Sequence, residues 1–525
     1  MNIGKSISKL RTSANISQAN FAEIFNVSQQ SVQKWEDGSA TPSLDKLIKI
    51  SKHFDVSLDA LVLGNSDRIV DEMKNTNTII EPEYSSMHGW EMYCSNPKIE
   101  YQQCIEEGLD IEKYKDIFYS VSTLPQGDLK RRFADILFDV ITNANIKKDY
   151  KFIEPNSLAE IKKLRIPYNY KTNETVNLEE KINGAWYGRI AGCMLGKTIE
   201  GIKTDELIPV LKKSDNYPMH RYISRKDITD DIIEKINFNF LNKAFGDSIT
   251  FMPIDDDTNY TVLYQLLIEK YGKDFTPFDV SRHWLNSLRK DSFCTAERVA
   301  FCNFVNGYVP PASGSYKNPY REWIGAQIRA DYFGYINPGN PELAAEMAWR
   351  DGCISHTKNG IYGEMFIAAM LAIATTTDNA EDILLGGLAE IPHTSRLYSE
   401  VMKVYNNYKN GVTQKECFAN IHNAYDEHVG HDWCHTISNA LIVASSLLYG
   451  DMDYSKSICM AVETGFDTDC NGATVGSIIG MAKGIKAIPH EWYYRMNDTL
   501  QTSIFDKSFV KISECVNKTL EHIKA

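Results

Sequence analysis

The chain has 525 residues, 43% of them hydrophobic and 24% charged, with a formal net charge of −13. That length exceeds what one hydrophobic core usually serves, and the composition is that of ordinary globular protein rather than a fibrous or low-complexity chain. The acidity excludes a chain given over wholly to nucleic acid, and no uncharged run approaches the ~18 apolar residues of a membrane span.

The opening, MNIGKSISKLRTSANIS, is polar and lacks the apolar core of a secretory signal. The eleven cysteines are scattered without a C-x-x-C pair, which speaks against a disulfide framework or a zinc ribbon. A cytoplasmic protein with buried free thiols and no membrane partner is expected.

Residues 1–65 carry a small positive balance, seven Lys/Arg against six Asp/Glu, so the acidity belongs to the remaining 460 residues. Within residues 1–65, Ile3, Ile7 and Leu10 fit one helix face, Phe21, Ile24 and Phe25 a second, and Leu44, Leu47, Ile48, Ile50 and Phe54 a third. Ser17, Ser28, Ser43 and Ser57 stand where N-caps are wanted. A helix, a break at Asn26–Val27 and a second helix opening at Ser28 lead into WEDGSATP, Trp35 to Pro42. This run resembles the helix-turn-helix of the Cro and C1 repressor family. The resemblance implies that the second helix enters the major groove of a double-stranded DNA operator, presenting Ser28, Gln29, Gln30, Gln33 and Lys34, with Gln18 near a phosphate. Glutamine grips the adenine edge with two hydrogen bonds. So little positive charge implies two copies, a homodimer on DNA.

Residues 66–150 read as a polar linker with a helical segment at about 101–146. There Phe133, Ile136, Leu137, Val140 and Ile141 follow helical spacing. Residues 151–525 read as a second domain, again mostly helical. The fold class expected is all-α: a small five-helix domain and a large helical bundle.

Two glycine series stand out in that second domain. Gly184, Gly188, Gly192 and Gly196 recur every four residues, as do Gly472, Gly476, Gly480 and Gly484. Each costs a helix about 0.8–1 kcal/mol relative to alanine, which predicts helices packed backbone to backbone. Glu200 follows the first series, Asp467 and Asp469 precede the second, and Asp255-Asp256-Asp257 opens another helix. Each group alone would be helix capping. Together they would repel unless a cation neutralised them, and oxygen ligands suit Mg2+ or Mn2+.

D-D-D-T, then G-F-D-T-D-C-N-G-A-T-V-G-S, with the first glycine series and its glutamate, resembles the ADP-ribosylglycohydrolase family over about 153–500. The resemblance implies an orthogonal α-helical bundle with two Mg2+ (or Mn2+) ions that cleaves a C1″ ribosyl bond. It implies Asp255, Asp256, Asp257, Asp467, Asp469 and Cys470 as metal ligands, and Glu200, Asp256 and Asp257 as catalytic. It places Gly325, Ala326, Gln327 and Arg329 at the diphosphate of ADP-ribose or an ADP-ribosylated substrate. It places Ser355, His356, Asn359, Gly360 and Tyr362 beside the substrate. Asp255 replaces a threonine, Cys470 a hydroxyl ligand and Ile324 an asparagine of the family pattern. A non-catalytic ADP-ribose sensor controlling transcription, or a hydrolase of another ribosyl compound, would use the same residues. His428, His431 and His435 mimic a zinc site but lack a local partner, and a structural or pocket-lining role is expected.

Overall fold

The structure, a computed structural model, describes residues 3–56, 58–63, 82–172 and 176–525. It divides into two compact units, Met1–Tyr84 and Ser85–Ala525. Among the described residues both are helical, apart from one antiparallel hairpin pairing Thr499–Gln501 with Phe509–Lys511.

Among the described residues the small unit has five α-helices, Ile3–Ser13, Gln18–Ile24, Gln29–Glu36, Leu44–Phe54 and Leu58–Leu63. Ile7, Leu10, Phe21, Phe25, Val32, Trp35, Leu47, Ile50 and Phe54 form its core. Gly4 lets the first helix touch the third, since a Cβ there would lie 2.1 Å from the Trp35 carbonyl oxygen. The hydroxyls of Ser17 and Ser28 accept from the amides of Asn20 and Ser31. Ser43 makes no such bond, and Ser57 lies outside the described residues. Ile24 and Leu44, expected inside, are 44% and 69% exposed. The rows through Phe21/Phe25 and Leu47/Ile50/Phe54 already fill the small core, and these two side chains fall on the flanks.

The linker reading of residues 66–150 needs correction, as does the start of the second domain at 151. Residues 64–81 lie outside the described residues, but from Ser85 the chain belongs to the large unit. The helix Pro97–Glu106 buries Glu100 and Gln103. Arg321 pairs with Glu100 at 2.7 Å and with Glu107 at 2.6 Å, Lys358 reaches Glu107 at 2.7 Å, and the Gln103 amide donates to Glu322. An apolar-periodicity reading does not register a segment docked by buried charge. In the helix Asp128–Thr142 the inward residues are Ala134, Leu137 and Ile141, while Phe133 and Ile136 are exposed.

The centre of the large unit is the pair of glycine helices, Leu178–Lys197 and Thr468–Lys483. They run antiparallel in backbone contact. A Cβ on Gly184, Gly188 or Gly192 would lie 2.0–2.3 Å from the carbonyl oxygen of Gly480, Gly476 or Gly472, respectively. Only glycine permits that approach, which explains its repetition on both helices. Among the described residues no helix is long and apolar enough to cross a membrane.

Candidate active site

The glycine contact sets the site, because it ends where the acidic residues begin. A Cβ on Gly196 would lie 2.2 Å from the Asp469 amide nitrogen. The end of the first glycine helix, with Lys197 and Glu200 beyond it, therefore abuts the start of the second, with Asp467, Asp469 and Cys470. The third contributor is the helix Asp256–Tyr271, capped by Asp255, whose carboxylate accepts from the Asp257 amide at 3.0 Å.

An oxygen from each of Asp255, Asp256, Asp257 and Asp469 lies within 4.8 Å of the others, and Asp257, Asp469 and Cys470 form a second such group. Burial, and then the neighbouring carboxylates, push Asp256 and Asp469 well above the usual range. Burial also raises Asp257, and the Arg189 guanidinium only partly offsets it. Glu200 is raised by burial and by the charges of Asp467 and Asp255. Asp255 is the exception. Burial opposes its charge, but the Lys197 ammonium at 2.8 Å holds it below the usual range. Arg189, wholly buried, pairs with Asp257 at 3.0 Å and Asp331 at 2.9 Å. Two carboxylate oxygens still have no hydrogen-bond partner, Asp257 Oδ2 and Asp469 Oδ1. A buried group left so is costly unless something fills the place.

A cavity of about 190 Å3 opens on this cluster. Its acidic side is Glu200, Asp256, Asp467 and Asp469, with Cys470 beside them, and its other walls include Trp90, Trp323, Trp433, Ile324 and Gly325. Glu297 also lines it, a residue that motif reading missed. Burial raises its carboxyl to about 6 against the pull of Arg329, whose guanidinium contacts it at 3.0 Å. No local pattern marks Glu297, which lies in the first turn of an ordinary helix, Thr295–Val305. Gly325 is needed there because a Cβ would lie 1.8 Å from Glu297 Oε1.

The pattern described as ADP-ribosylglycohydrolase matches residues 174–516, and that described as helix-turn-helix matches residues 7–61. The chain belongs to the ADP-ribosylglycohydrolase family. It carries in addition an N-terminal helix-turn-helix of the Cro/C1 type. Two curated relatives match that end. One is the HTH-type transcriptional activator BcrR of Enterococcus faecalis, 33% identical over 15% of this chain and 39% of its own length. The other is the prophage-derived uncharacterized HTH-type transcriptional regulator YonR of Bacillus subtilis (strain 168), 33% identical over 16% of this chain and 79% of its own length. The chain thus spans under half the length of the first. A solved structure, an ADP-ribosylglycohydrolase-related protein complex, aligns at 17% identity and TM-score 0.43 over 66% of this chain and 98% of its own.

Within the ADP-ribosylglycohydrolase unit, several residues expected at the substrate do not line this cavity. Of the diphosphate loop Ile324, Gly325 and Ile328 line the cavity; Ala326, Gln327 and Arg329 are buried behind it. The Arg329 guanidinium is engaged by Asp351 at 2.5 Å, Glu297 at 3.0 Å and the Ser355 hydroxyl at 2.7 Å. It therefore positions Glu297 instead of facing a phosphate. Ser355 and His356 are buried and bonded to each other at 2.8 Å. The Asn359 amide donates to Glu154 and Glu322, and its carbonyl accepts from the Leu397 amide. The Tyr362 hydroxyl donates to the Pro155 carbonyl. A Cβ on Gly360 would lie 2.6 Å from the Arg321 carbonyl oxygen. These five stabilise the core and do not line the acidic cavity. A linear motif fixes which residues are near, but not which way their side chains point.

His431 and His435 are explained by their other ring nitrogens. The Trp323 indole donates to His431 Nδ1 at 3.2 Å, and the Ile437 amide donates to His435 Nδ1 at 3.1 Å. In the neutral rings Nε2 then carries the proton, and both Nε2 atoms approach Glu106, at 3.2 and 3.6 Å. Ligation through Nε2 needs that lone pair free, with the other nitrogen donating. The structure thus supplies the partner that the sequence reading found lacking, since Glu106, His431 and His435 bring one ligand atom each within 4.8 Å of one another, and the group docks the helix Pro97–Glu106. His428 is exposed, 3.8 Å from Asp205.

In the small unit Gln29, Gln30, Gln33 and Lys34 are exposed on the second helix of the motif, and Ser28 is exposed as its cap. Gln18 differs from expectation. Its amide donates to Glu36 at 2.8 Å, beside the Arg11–Glu36 pair at 2.6 Å.

Proposed function

We propose that the large unit is a divalent-cation-dependent hydrolase of a C1″ ribosyl bond, acting on ADP-ribose attached to an acceptor, and that the small unit binds an operator in double-stranded DNA as a homodimer. The observation that carries the enzymatic reading is the set of four carboxylates within 4.8 Å, with two oxygens unpartnered. The residues fit a hard cation such as Mg2+ or Mn2+. Asp256, Asp257 through Oδ2, and Asp469 would hold a first ion, and Asp467 with Asp255 a second. Lys197 weakens the second position by engaging Asp255, and the Cys470 thiol, raised by burial, is a poor hard-ion ligand. The chemistry a divalent cation supplies there is electrostatic, neutralising the carboxylates and orienting the ribosyl hydroxyls.

The chain's own residues divide the remaining work. Glu200, half-buried at the cavity and raised by its neighbours, takes the proton of the attacking water. Glu297, near 6 and held by Arg329, gives a proton to the leaving atom. Asp257 is tied to Arg189 and away from the cavity, so it serves as ligand alone. The two-carboxyl arrangement follows the logic of glycoside hydrolysis, in which one carboxyl acts as acid and the other as base.

The test is release of ADP-ribose from a panel of ADP-ribosylated substrates, with Mg2+ or Mn2+ and with EDTA. Release must require metal; full activity in EDTA contradicts the reading. The Lys197–Asp255 pair favours one rival, a slow or silent site that senses ADP-ribose for transcription. Ligand binding with no turnover on any substrate of the panel selects that rival.

DNA binding is supported by the exposed Gln29, Gln30, Gln33 and Lys34 and by the helix-turn-helix match. Operator fragments bound in a gel or by anisotropy, with a 2:1 stoichiometry, test it.

A further inference from the structure

The cavity over the acidic cluster has a wall that the family region does not supply. Trp90 lines it, yet lies well before residue 174, where the family match begins. It faces the same space as Trp323 and Trp433.

All three rings are held. The Trp323 indole N–H donates to His431 and that of Trp433 to the Phe466 carbonyl. Their donors are thus engaged, Lys203 lies 4.7 Å over the Trp433 ring and the His88 ring packs 4.3 Å from that of Trp90, so what the indoles offer the cavity is the ring surface and edge these neighbours leave uncovered. Arg298 stacks 5.1 Å over the Trp90 indole, and the neighbouring Glu91 is anchored by Lys290 at 2.8 Å. Trp90 and Trp433 are only half-buried although packed around the site. Large rings left partly uncovered inside a cleft are the usual form of a stacking wall.

We propose that Trp90, with Trp323 and Trp433, forms a subsite for an aromatic heterocycle carried on the ribosyl carbon, so that the preferred substrate is an N-ribosyl compound of a flat ring. The proposal rests on the reading of the acidic cluster as the ribosyl site. The carboxylate floor takes the hydroxylated, polar end of such a ligand, and the indoles take its planar end. An uncharged aliphatic acceptor offers three indoles no flat face to cover, whereas base-on-aromatic stacking is the main sequence-independent grip on nucleobases. The cavity, about 190 Å3, is small beside the roughly 300–1,000 Å3 that encloses drug-sized ligands. It therefore takes the reacting end of a ligand and not a whole dinucleotide.

The probes are adenosine, methyl ribofuranoside and adenine, titrated by calorimetry into the full-length protein with Mg2+, as wild type, Trp90→Ala and Trp90→Phe. Adenosine should bind wild type about tenfold tighter than the ribofuranoside. Trp90→Ala should lose about that factor for adenosine and adenine and leave the ribofuranoside unchanged, while Trp90→Phe keeps most of it. Equal affinities for adenosine and ribofuranoside, untouched by either variant, overturn the subsite and leave the ribosyl reading standing. Adenine bound as well as adenosine, with no ribofuranoside binding, overturns the ribosyl reading and with it the N-ribosyl substrate, leaving only a wall that binds flat rings. Equal loss of all three ligands in both variants marks Trp90 as structural and overturns the proposal, as does a wild type that binds none.

Discussion

Lys197 decides how strongly the acidic site can hold a cation. Its ammonium lies 2.8 Å from Asp255 and holds that carboxyl low while Asp256 and Asp469 are pushed up. Lys197→Ala should free Asp255 and tighten Mn2+ binding several-fold by calorimetry; Asp469→Asn should abolish binding and hydrolysis with helical circular dichroism unchanged. Glu297 gives a pH dependence. As an acid it must be protonated, so kcat/KM should fall as pH rises through about 6, and Glu297→Gln should flatten that limb and cost roughly 10²–10⁴-fold in rate. The same raised carboxyl has a stability consequence. The fold prefers its neutral form, so stability present below the ordinary 4.5 is lost as pH rises through about 6. Denaturant melts of wild type and Glu297→Gln at pH 4 and 8 check the sign. The aspartates were legible in sequence because D-D-D-T and D-T-D-C are local. Glu297, Lys197 and Trp90 were not, since each reaches the cavity from an element whose own pattern is ordinary. Arg329 was misplaced because its loop gives no sign that Asp351 and Glu297 draw the guanidinium inward.

At the scale of elements, the paired glycine helices were readable from spacing alone, since seven costly residues in register admit few explanations, while the eighth, Gly484, ends the second helix at a φ of +79°. Gly188→Ala tests the contact. Alanine favours a helix by about 1 kcal/mol, but its Cβ would lie 2.3 Å from the Gly476 carbonyl oxygen. Backbone cannot yield as a side chain does, so net destabilisation of about 2–3 kcal/mol is expected in urea melts. The docked helix Pro97–Glu106 was not readable, because charge and not apolar spacing fixes it. Burial disfavours the Glu106 carboxylate, yet His431, His435 and Arg396 hold it near 2. Its contribution is therefore full above 4.5 and fades as pH falls toward 2. Hydrogen exchange of residues 97–106 should accelerate over that window in wild type. In Glu106→Gln it should already be fast at neutral pH.

The whole chain joins a helix-turn-helix to an ADP-ribosylglycohydrolase unit, and the sequence showed both because each rests on local motifs. Its account of the stretch between them failed where buried ion pairs replace apolar faces. A shared chain is useful if occupancy of one site biases the other. ADP-ribose with Mg2+ should then shift operator affinity, and operator DNA should shift ADP-ribose affinity by the same factor, with about 1–3 kcal/mol typical of such coupling. Identical operator curves with and without saturating ligand would reduce the fusion to a tether. At the DNA itself, Gln29→Ala and Gln30→Ala should relax sequence preference, whereas Lys34→Ala should weaken all sequences alike and lower the salt slope by about 1. The claim beneath all of this is that the carboxylates at Asp256, Asp257 and Asp469 form a cation site that serves hydrolysis. Mn2+ titrated into the full-length wild type and the Asp256→Asn/Asp469→Asn double variant, with ADP-ribose release followed on the same samples, tests it most directly. Saturable binding and release in wild type, both lost in the double variant, is the predicted result; release that persists in the double variant, or in wild type stripped of metal, would contradict it.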